Sequence, residues 1–343
     1  MQARWEPRTC SAHWTHSPQL ERTTDMPETM NFDVVISSRS VTGQTLADLG
    51  DTYPNLWAVT PDICATLREF MDRHPDRFVD VGLSEQAAVG IGAGLAYEGN
   101  IVVVSGMLPF LSMRSMEQVR TDVCYPNLPV RIIGTHGGLQ GNGGSTHYAL
   151  EDLGLMSSLV NMTVISISDP MMVKEVLEQS MTYPGPMYIR TGVGKKDTVI
   201  YDFDERSITI GKAITALDGD QITLFTHGEM VVQAIKAARE VAKEGISVRV
   251  VDMFTIKPID VESIRTNATE TGRFVVLEDH LKMSGLAQAI ANVLADEMIH
   301  LSWFKRLGIP QVYAGFGEDE QLRDKHGYGL QHTIDALREA AEH

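Results

Sequence analysis

Hydrophobic and polar positions along this chain follow one repeated order. A short run rich in β-branched residues comes first, and a longer segment with apolar residues at helical spacing follows it. This order predicts parallel α/β units. Because the short runs are almost continuously apolar, we expect strands that helices cover on both faces. The strands predicted in the first part of the chain are residues 56–59, 78–81, 101–105, 130–133, 162–167 and 187–189.

The repeated order stops once and then starts again. Residues 192–208 are polar and predict a linker. Beyond the linker, predicted strands at 222–225, 248–251 and 274–277 alternate with predicted helices at 230–244, 261–271 and 285–299. We therefore expect an α/β protein with two doubly wound domains, each built on a mainly parallel sheet. The domains would span residues 31–191 and 209–343, with residues 1–30 as a mobile N-terminal tail.

Composition and charge narrow the function classes. With 343 residues, 43% of them hydrophobic and 22% charged, the chain has the composition of a globular protein of about two domains. Its 29 Lys and Arg against 45 Asp and Glu give a net charge of −16, which opposes binding to nucleic acid or anionic lipid. Cys10, Cys64 and Cys124 lie far apart, so they predict neither a disulfide framework nor a metal site. We expect a cytoplasmic protein with no membrane partner.

Glu85 is the first candidate for catalysis. It lies in the segment DVGLSEQAAVGIGAGLAYEG, where a strand is predicted to end at Gly82, Ser84 to cap a helix, and Glu85 to open that helix. A carboxylate at the carboxyl end of a parallel strand stands where ligands bind, which suits proton chemistry. The alternative is that Glu85 only complements the helix dipole.

The glycines of the same segment do not fit a dinucleotide site. Gly90, Gly92 and Gly94 lie deep inside the predicted helix, whereas a Rossmann fingerprint places its first glycine in the turn after the strand. We expect these glycines to serve helix packing instead.

A glycine-rich segment, THGGLQGNGGSTH, follows the predicted strand 130–133 and carries His136 and His147. The histidines could donate to phosphate or hydroxyl oxygens, or move protons near neutral pH. Their spacing does not match a zinc site. The alternative is two histidines on a surface loop without a role.

Further candidates follow two neighbouring strands. Arg190 ends a predicted strand at the same sheet edge as Glu85, so it could clamp an anionic substrate or form a salt bridge near the linker. Met107, Phe110 and Arg114 follow the predicted strand 101–105. Phe110 could stack on a flat heterocycle or pack in the core.

Taken together, these segments resemble the transketolase family of thiamine-diphosphate enzymes from about Arg39 to the C-terminus. FVDVGLSEQAAVGIGAGLA is similar to the catalytic-Glu motif of that family, FLSMRSMEQVR to its aminopyrimidine-side helix, and GGSTHYALEDL to its substrate loop. NMTVISISDP and GPMYIR follow in family order. LFTHGEMVVQAIKAA, VRVVDMFTIKPID and VVLEDHLKMSGLAQAIA are similar to its third domain. The resemblance implies a pyrimidine-binding domain followed by a transketolase C-terminal domain.

The resemblance also implies roles for individual residues. Glu85 would hydrogen-bond N1′ of the cofactor aminopyrimidine and favour the tautomer that removes a proton from the thiazolium ring. Phe110 would stack on the pyrimidine, Met107 would stand where a preceding aromatic usually lies, and Arg114 belongs to the aminopyrimidine-side helix. The remaining matches are Asp62 at the cofactor interface and, for sugar hydroxyl or phosphate oxygens, His136, His147 and Arg190.

One motif of the family is missing. Family enzymes bind Mg²⁺ and the cofactor diphosphate through a Gly-Asp-Gly motif followed by Asn, and only a superficial echo occurs at residues 217–220. The chain therefore resembles the C-terminal half of a split transketolase. The resemblance implies a transferase that is active only with an N-terminal subunit carrying that motif, in a heterotetramer with two copies of each chain.

A second departure concerns the substrate. Family members usually carry an Asp-Gly pair shortly before the Thr-His pair, and Gly143 stands here where that Asp would be. The expected substrate is a sugar or keto compound, with a donor or acceptor that differs from the standard one. Two alternatives remain open: the β subunit of a 2-oxoacid dehydrogenase, and a non-catalytic paralogue that only binds a partner.

Overall fold

The computed structural model describes residues 32–62, 64–139, 143–192, 197–201 and 208–343. The predicted tail lies outside these residues, as do residues 193–196 and 202–207 of the predicted linker. The strands are β1 Val35–Ile36, β2 Leu56–Thr60, β3 Phe78–Asp80, β4 Ile101–Met107, β5 Val130–Thr135, β6 Thr163–Ser166, β7 Met187–Arg190, β8 Asp197–Thr198, β9 Ile214–Leu217, β10 Ile222–Thr226, β11 Val248–Asp252, β12 Thr255–Lys257, β13 Arg273–Leu281 and β14 Trp303–Ile309. The helices are α1 Ser38–Thr52, α2 Arg68–Arg73, α3 Glu85–Tyr97, α4 Met116–Gln118, α5 Asp152–Ser158, α6 Met172–Ser180, α7 Met230–Ala242, α8 Val261–Glu270, α9 Leu286–Asp296, α10 Asp319–Lys325 and α11 Leu330–Ala341.

The larger sheet has the strand order β12-β6-β7-β5-β4-β2-β3 among the described residues. Its neighbouring strands pair in parallel, except that β12 is antiparallel to β6. Every residue of β5, β6 and β7 is buried, because helices cover both faces of the sheet centre.

The second sheet has the order β14-β13-β10-β11-β9. Its pairs are parallel, apart from β9, which lies antiparallel to β11. The predicted α/β fold with two domains and mainly parallel sheets is therefore confirmed. Along the described stretches, no helix joins enough length to enough apolar character to cross a membrane.

The two parts of the chain share one sheet. Strand β12 comes from the second half of the chain, yet it pairs with β6 of the first sheet, with Thr255 opposite Ile165. Lys257 of the same strand donates from Nζ to the carbonyl oxygen of Ser157 at 3.0 Å. The second domain is thus hydrogen-bonded into the edge of the first.

Helix α3 begins at Glu85, as the sequence predicts, and packs closely on the sheet. A Cβ atom added to Gly92 would lie 2.8 Å from Cγ2 of Val104 on β4, so the packing prediction is confirmed for this glycine. It is wrong for Gly90 and Gly94, where an added Cβ would meet nothing within 4 Å among the described residues.

The start of α3 differs from the prediction in one respect. Ser84 precedes the helix, but its side chain makes no capping hydrogen bond. Its Oγ donates to the carbonyl oxygen of Val81 at 3.0 Å instead. The predicted Ser84 cap is therefore wrong, because the hydroxyl turns back toward the strand from which the chain arrives.

Candidate active site

The predicted site residues lie at one edge of the larger sheet. Because β7, β5, β4, β2 and β3 run parallel in that order, their carboxyl ends share an edge, where open α/β sheets bind ligands. The residues at or just beyond these strand ends are Arg190 on β7, His136 after β5, Met107 on β4, Asp62 after β2 and Glu85 after β3.

Glu85 is buried and holds one oxygen in an ion pair. Only 1% of the residue is exposed, and Nη1 of Arg114 donates to its Oε2 at 2.6 Å. Its other oxygen, Oε1, is buried and has no hydrogen-bond partner within the described part of the chain. Since a buried acceptor left unpaired is costly, the arrangement suits a ligand that brings a donor to Oε1.

Arg114 and Phe110 extend the site from Glu85 toward His147. The guanidinium of Arg114 lies 4.4 Å from the centre of the Phe110 ring, a cation–π contact. The half-buried Phe110 ring meets the His147 ring edge-on, with centroids 5.2 Å apart and an interplanar angle of 73°. The structure thus brings Glu85, Arg114, Phe110 and His147 into one continuous group.

Arg39, which the sequence analysis did not single out, shares a contact with His136. Nδ1 of His136 is 2.8 Å from Oγ1 of Thr135, and the same oxygen accepts from Nη2 of Arg39 at 3.4 Å. Burial lowers the pKa of Arg39, although Asp197 opposes this. Arg39 stands in the first turn of α1, where the helix dipole disfavours a cation. That unfavourable position is the signal that could have singled it out.

Met107 and Asp62 occupy the same edge without a described contact to Glu85. Met107 is half-buried and pairs with Thr135 across β4 and β5. Asp62 is exposed, and its backbone N–H donates to Oγ1 of Thr60 at 3.3 Å. Both residues therefore remain predictions as cofactor contacts.

Arg190 contacts residues of both domains. Its side chain is buried, and Nε lies 3.2 Å from Oδ2 of Asp152. Nη2 donates to the carbonyl oxygens of Ala149 at 3.2 Å and Asp279 at 2.8 Å. Arg190 thus joins the first domain, the histidine-bearing segment and the second domain, and its contact with a substrate stays a prediction.

The backbone around Gly143 leaves no room for a side chain. A Cβ atom there would overlap Cβ of His147, and one on Gly144, whose φ is +70°, would overlap the ring of Phe316. At the position where the family usually has an acidic residue, His147 therefore occupies the space that a side chain would need.

Family models identify both domains. The model "Transketolase, pyrimidine binding domain" matches residues 35–195, and "Transketolase, C-terminal domain" matches residues 211–332. This chain belongs to the transketolase family. It corresponds to the C-terminal subunit of a split transketolase, as the sequence predicts.

Individual transketolases agree with this assignment. An apulose-4-phosphate transketolase subunit of Phocaeicola vulgatus is 34% identical over 296 residues, covering 85% of this chain and 94% of that protein. The 6-deoxy-6-sulfo-D-fructose transketolase subunit of a Clostridium species is 30% identical over 289 residues, covering 83% and 88%. A solved split-gene transketolase, described as an inactive β4 tetramer, superimposes with a TM-score of 0.79 at 30% identity, covering 90% of this chain and 98% of that one.

Enzymes of the transketolase family depend on thiamine diphosphate. The buried, unpartnered Oε1 of Glu85 fits an aminopyrimidine nitrogen, and the neighbouring Phe110 ring fits a flat heterocycle. The residues present therefore fit the pyrimidine end of the cofactor. The described residues hold no group of three or more His, Cys, Asp or Glu side chains able to bind a metal.

Proposed function

We propose that this transketolase subunit takes part in thiamine-diphosphate-dependent transfer of a two-carbon ketol unit, with Glu85 activating the cofactor. The observation that carries the proposal is the unpartnered Oε1 of Glu85, buried beside Arg114. A buried carboxylate with one oxygen held by a cation and the other unpaired is suited to exchange a proton with a ring nitrogen.

Each residue of the cofactor pocket has a separate task. When bound, thiamine diphosphate would supply the carbon nucleophile of the reaction. Oε1 of Glu85 would bond N1′ and exchange the proton there, while Arg114 holds Oε2 and so orients the carboxylate. Phe110 would support one face of the pyrimidine, with Met107 beside it at the end of β4. Asp62, which is exposed, would lie at the outer side of the cofactor site.

The donor is bound by the residues that follow β5. His136 and His147 donate to hydroxyl or phosphate oxygens, and Arg39 supplies a positive charge next to His136. Arg190 donates to the carbonyl oxygens of Ala149 and Asp279 and so helps to hold this region in place. We therefore assign it an indirect part in substrate binding.

The diphosphate end of the cofactor requires a second polypeptide. The chain lacks Gly-Asp-Gly followed by Asn, so a cytoplasmic N-terminal subunit with that motif would hold Mg²⁺ and the phosphates. Two copies of each chain would form the heterotetramer. The solved split-gene relative is described as inactive in its β4 form, which supports activity only with the partner.

A non-standard donor follows from Gly143. Without an acidic acceptor at this position, a donor hydroxyl would remain unpaired, at a cost of about 1 to 3 kcal/mol. Two relatives are named as transketolase subunits for apulose 4-phosphate and for 6-deoxy-6-sulfo-D-fructose, and these names support a specialised donor here too. Their names favour transketolase chemistry over the β subunit of a 2-oxoacid dehydrogenase.

Co-expression with the partner subunit tests this function. The purified complex is given thiamine diphosphate, Mg²⁺ and a panel of ketose phosphates with an aldose acceptor, and each subunit alone serves as a control. We expect ketol transfer only from the complex. Acylation of a lipoyl carrier protein from 2-oxoacids would show the dehydrogenase reaction instead, and no turnover of any donor would favour the non-catalytic paralogue.

A further inference from the structure

Two segments of the first domain carry the predicted substrate histidines. Residues 136–139 begin with His136, and residues 143–149 include His147; together they are called the histidine segments. They are joined by a hydrogen bond in which the N–H of Gly138 donates to the carbonyl oxygen of Ala149 at 2.9 Å. The carbonyl oxygen of Ala149 also accepts from Arg190, so hydrogen bonds within the first domain connect the two histidine segments.

The second domain contacts the first histidine segment through Asp279 on β13. Oδ2 of Asp279 accepts from the backbone N–H of Leu139 at 3.1 Å and from Nη2 of Arg323 at 3.1 Å. Its Oδ1 accepts from the hydroxyl of Tyr328 at 2.8 Å. Asp279 is 3% exposed, and a buried carboxylate with three donors is a rigid attachment point.

The fit between Asp279 and the first histidine segment is tight. Gly138 has φ +78°, and a Cβ atom there would overlap Oδ2 of Asp279. A Cβ atom on Gly137 would overlap the side chain of Arg190. The two glycines after His136 are therefore required by the side chains that flank the backbone, one from each domain.

The charge on Asp279 is secured by its neighbours. Burial raises its pKa, but the cations of Arg323 and Arg190 outweigh that effect and leave the pKa of Asp279 below its ordinary value. The carboxylate is thus ionised at neutral pH and accepts strong hydrogen bonds. Arg323 pairs in addition with Glu229, which directly precedes α7.

The second domain also contacts the other histidine segment. The N–H of Gly315 donates to Oγ of Ser145 at 3.3 Å, and the ring of Phe316 fills the space beside Gly144. Both segments are therefore attached to the second domain at separate points.

We propose that Asp279 is a positioning residue, through which the second domain holds the histidine segments in the conformation that binds substrate. The consequence for substrate rests on the proposed function. The consequence for the backbone does not, because the Leu139 amide is held by Asp279 of the same chain.

Amide hydrogen exchange, followed by mass spectrometry on the complex with the partner subunit, reads the backbone directly. Asp279→Ala is expected to speed exchange of the Leu139 amide roughly tenfold or more, while peptides of α3 exchange as before. In kinetics it raises KM for the donor and lowers kcat/KM on the order of 10²-fold, with a smaller change in kcat. Asp279→Asn, which retains one oxygen acceptor, falls between Asp279→Ala and the unaltered chain.

Glu229→Ala is the matched control, because it removes the other carboxylate from Arg323 and leaves the Leu139 contact in place. We expect unchanged exchange at Leu139. If Asp279→Ala does not fold, Gly138→Ala tests the same contact from the opposite side with the charge retained. Unchanged Leu139 exchange and unchanged donor KM in the Asp279 or Gly138 variants would overturn the proposal. Failure of the unaltered complex to turn over any donor would instead refute the proposed function.

Discussion

Arg114 binds Oε2 of Glu85 at 2.6 Å, and the same guanidinium lies 4.4 Å from the centre of the Phe110 ring. One cation thereby connects the carboxylate proposed to exchange a proton with the ring proposed to support the cofactor. Because its side chain is 46% exposed while Glu85 is buried, Arg114 reaches the carboxylate from the open side of the site. Oε1 is left buried and without a hydrogen-bond partner among the described residues.

Removal of the Arg114 cation is expected to disturb Glu85 without unfolding the domain. Arg114→Gln leaves Oε2 with a weaker, neutral donor, and we expect kcat/KM for ketol transfer to fall about ten- to a hundredfold. Arg120→Gln is the control, because Arg120 is exposed and pairs only with the exposed Glu117 in the described contacts. Equal activity of the two variants would show that Arg114 has no part in the reaction.

Gly143 is expected to resist conversion to the usual family residue. Since a Cβ atom there overlaps Cβ of His147, both Gly143→Ala and Gly143→Asp should displace His147 and reduce turnover of the native donor to a similar degree. The alanine variant separates this steric effect from the added charge. Full activity toward the native donor in both variants would contradict this steric explanation.

Alanine substitutions at two glycines of α3 are expected to change the stability of the chain in opposite directions. Gly94→Ala should raise the unfolding free energy by up to about 1 kcal/mol, because alanine favours the helix and nothing described lies near its methyl group. Gly92→Ala should lower it by about 1 to 2 kcal/mol, because its methyl group presses on Val104. Denaturant unfolding of the isolated chain measures both, and two changes of the same sign would be inconsistent with the packing.

Asp252 predicts a pH dependence of stability. It is buried and accepts from the hydroxyl of Tyr201 at 2.8 Å, and burial raises its pKa to about 7, with Asp169 adding to the effect. The folded state therefore binds a proton that the unfolded state releases above about pH 4. As pH rises from about 4 to 7, the folded state must either keep a proton that the unfolded state has released or bury a charged carboxylate. The free energy of unfolding therefore falls over this range.

Asp252→Asn should remove this contribution. Between pH 5 and pH 8, the unaltered chain should lose on the order of 1 to 4 kcal/mol that the variant keeps. Thermal unfolding at both pH values measures the difference. A variant with the same pH dependence as the unaltered chain would show that Asp252 does not titrate in this range.

The sequence predicted the central strands and the position of Glu85 because both depend on local patterns. Runs of β-branched residues identify β4, β5 and β10 within a few residues. The parallel order then places Glu85, His136 and Arg190 at one edge without knowledge of any contact.

Features that depend on contacts between residues far apart in the sequence could not be predicted. Strand β12 has three residues, too few for a recognisable period, and only its pairing with β6 defines it. Asp279 lies two residues beyond the apolar run 274–277 that predicts a core strand, and its contact with Leu139 spans 140 positions. Arg190 was correctly placed at the strand end, but its partners Asp152 and Asp279 are known only from the folded chain.

The rate at which bound thiamine diphosphate exchanges its C2 hydrogen with deuterated water tests the role of Glu85 most directly, because no donor is needed. The measurement compares the unaltered complex with Glu85→Gln in the same partner subunit, at saturating cofactor and Mg²⁺. We predict equal cofactor occupancy and an exchange rate about 10²- to 10⁴-fold lower in the variant. Equal exchange rates in the two complexes would contradict the assignment of Glu85.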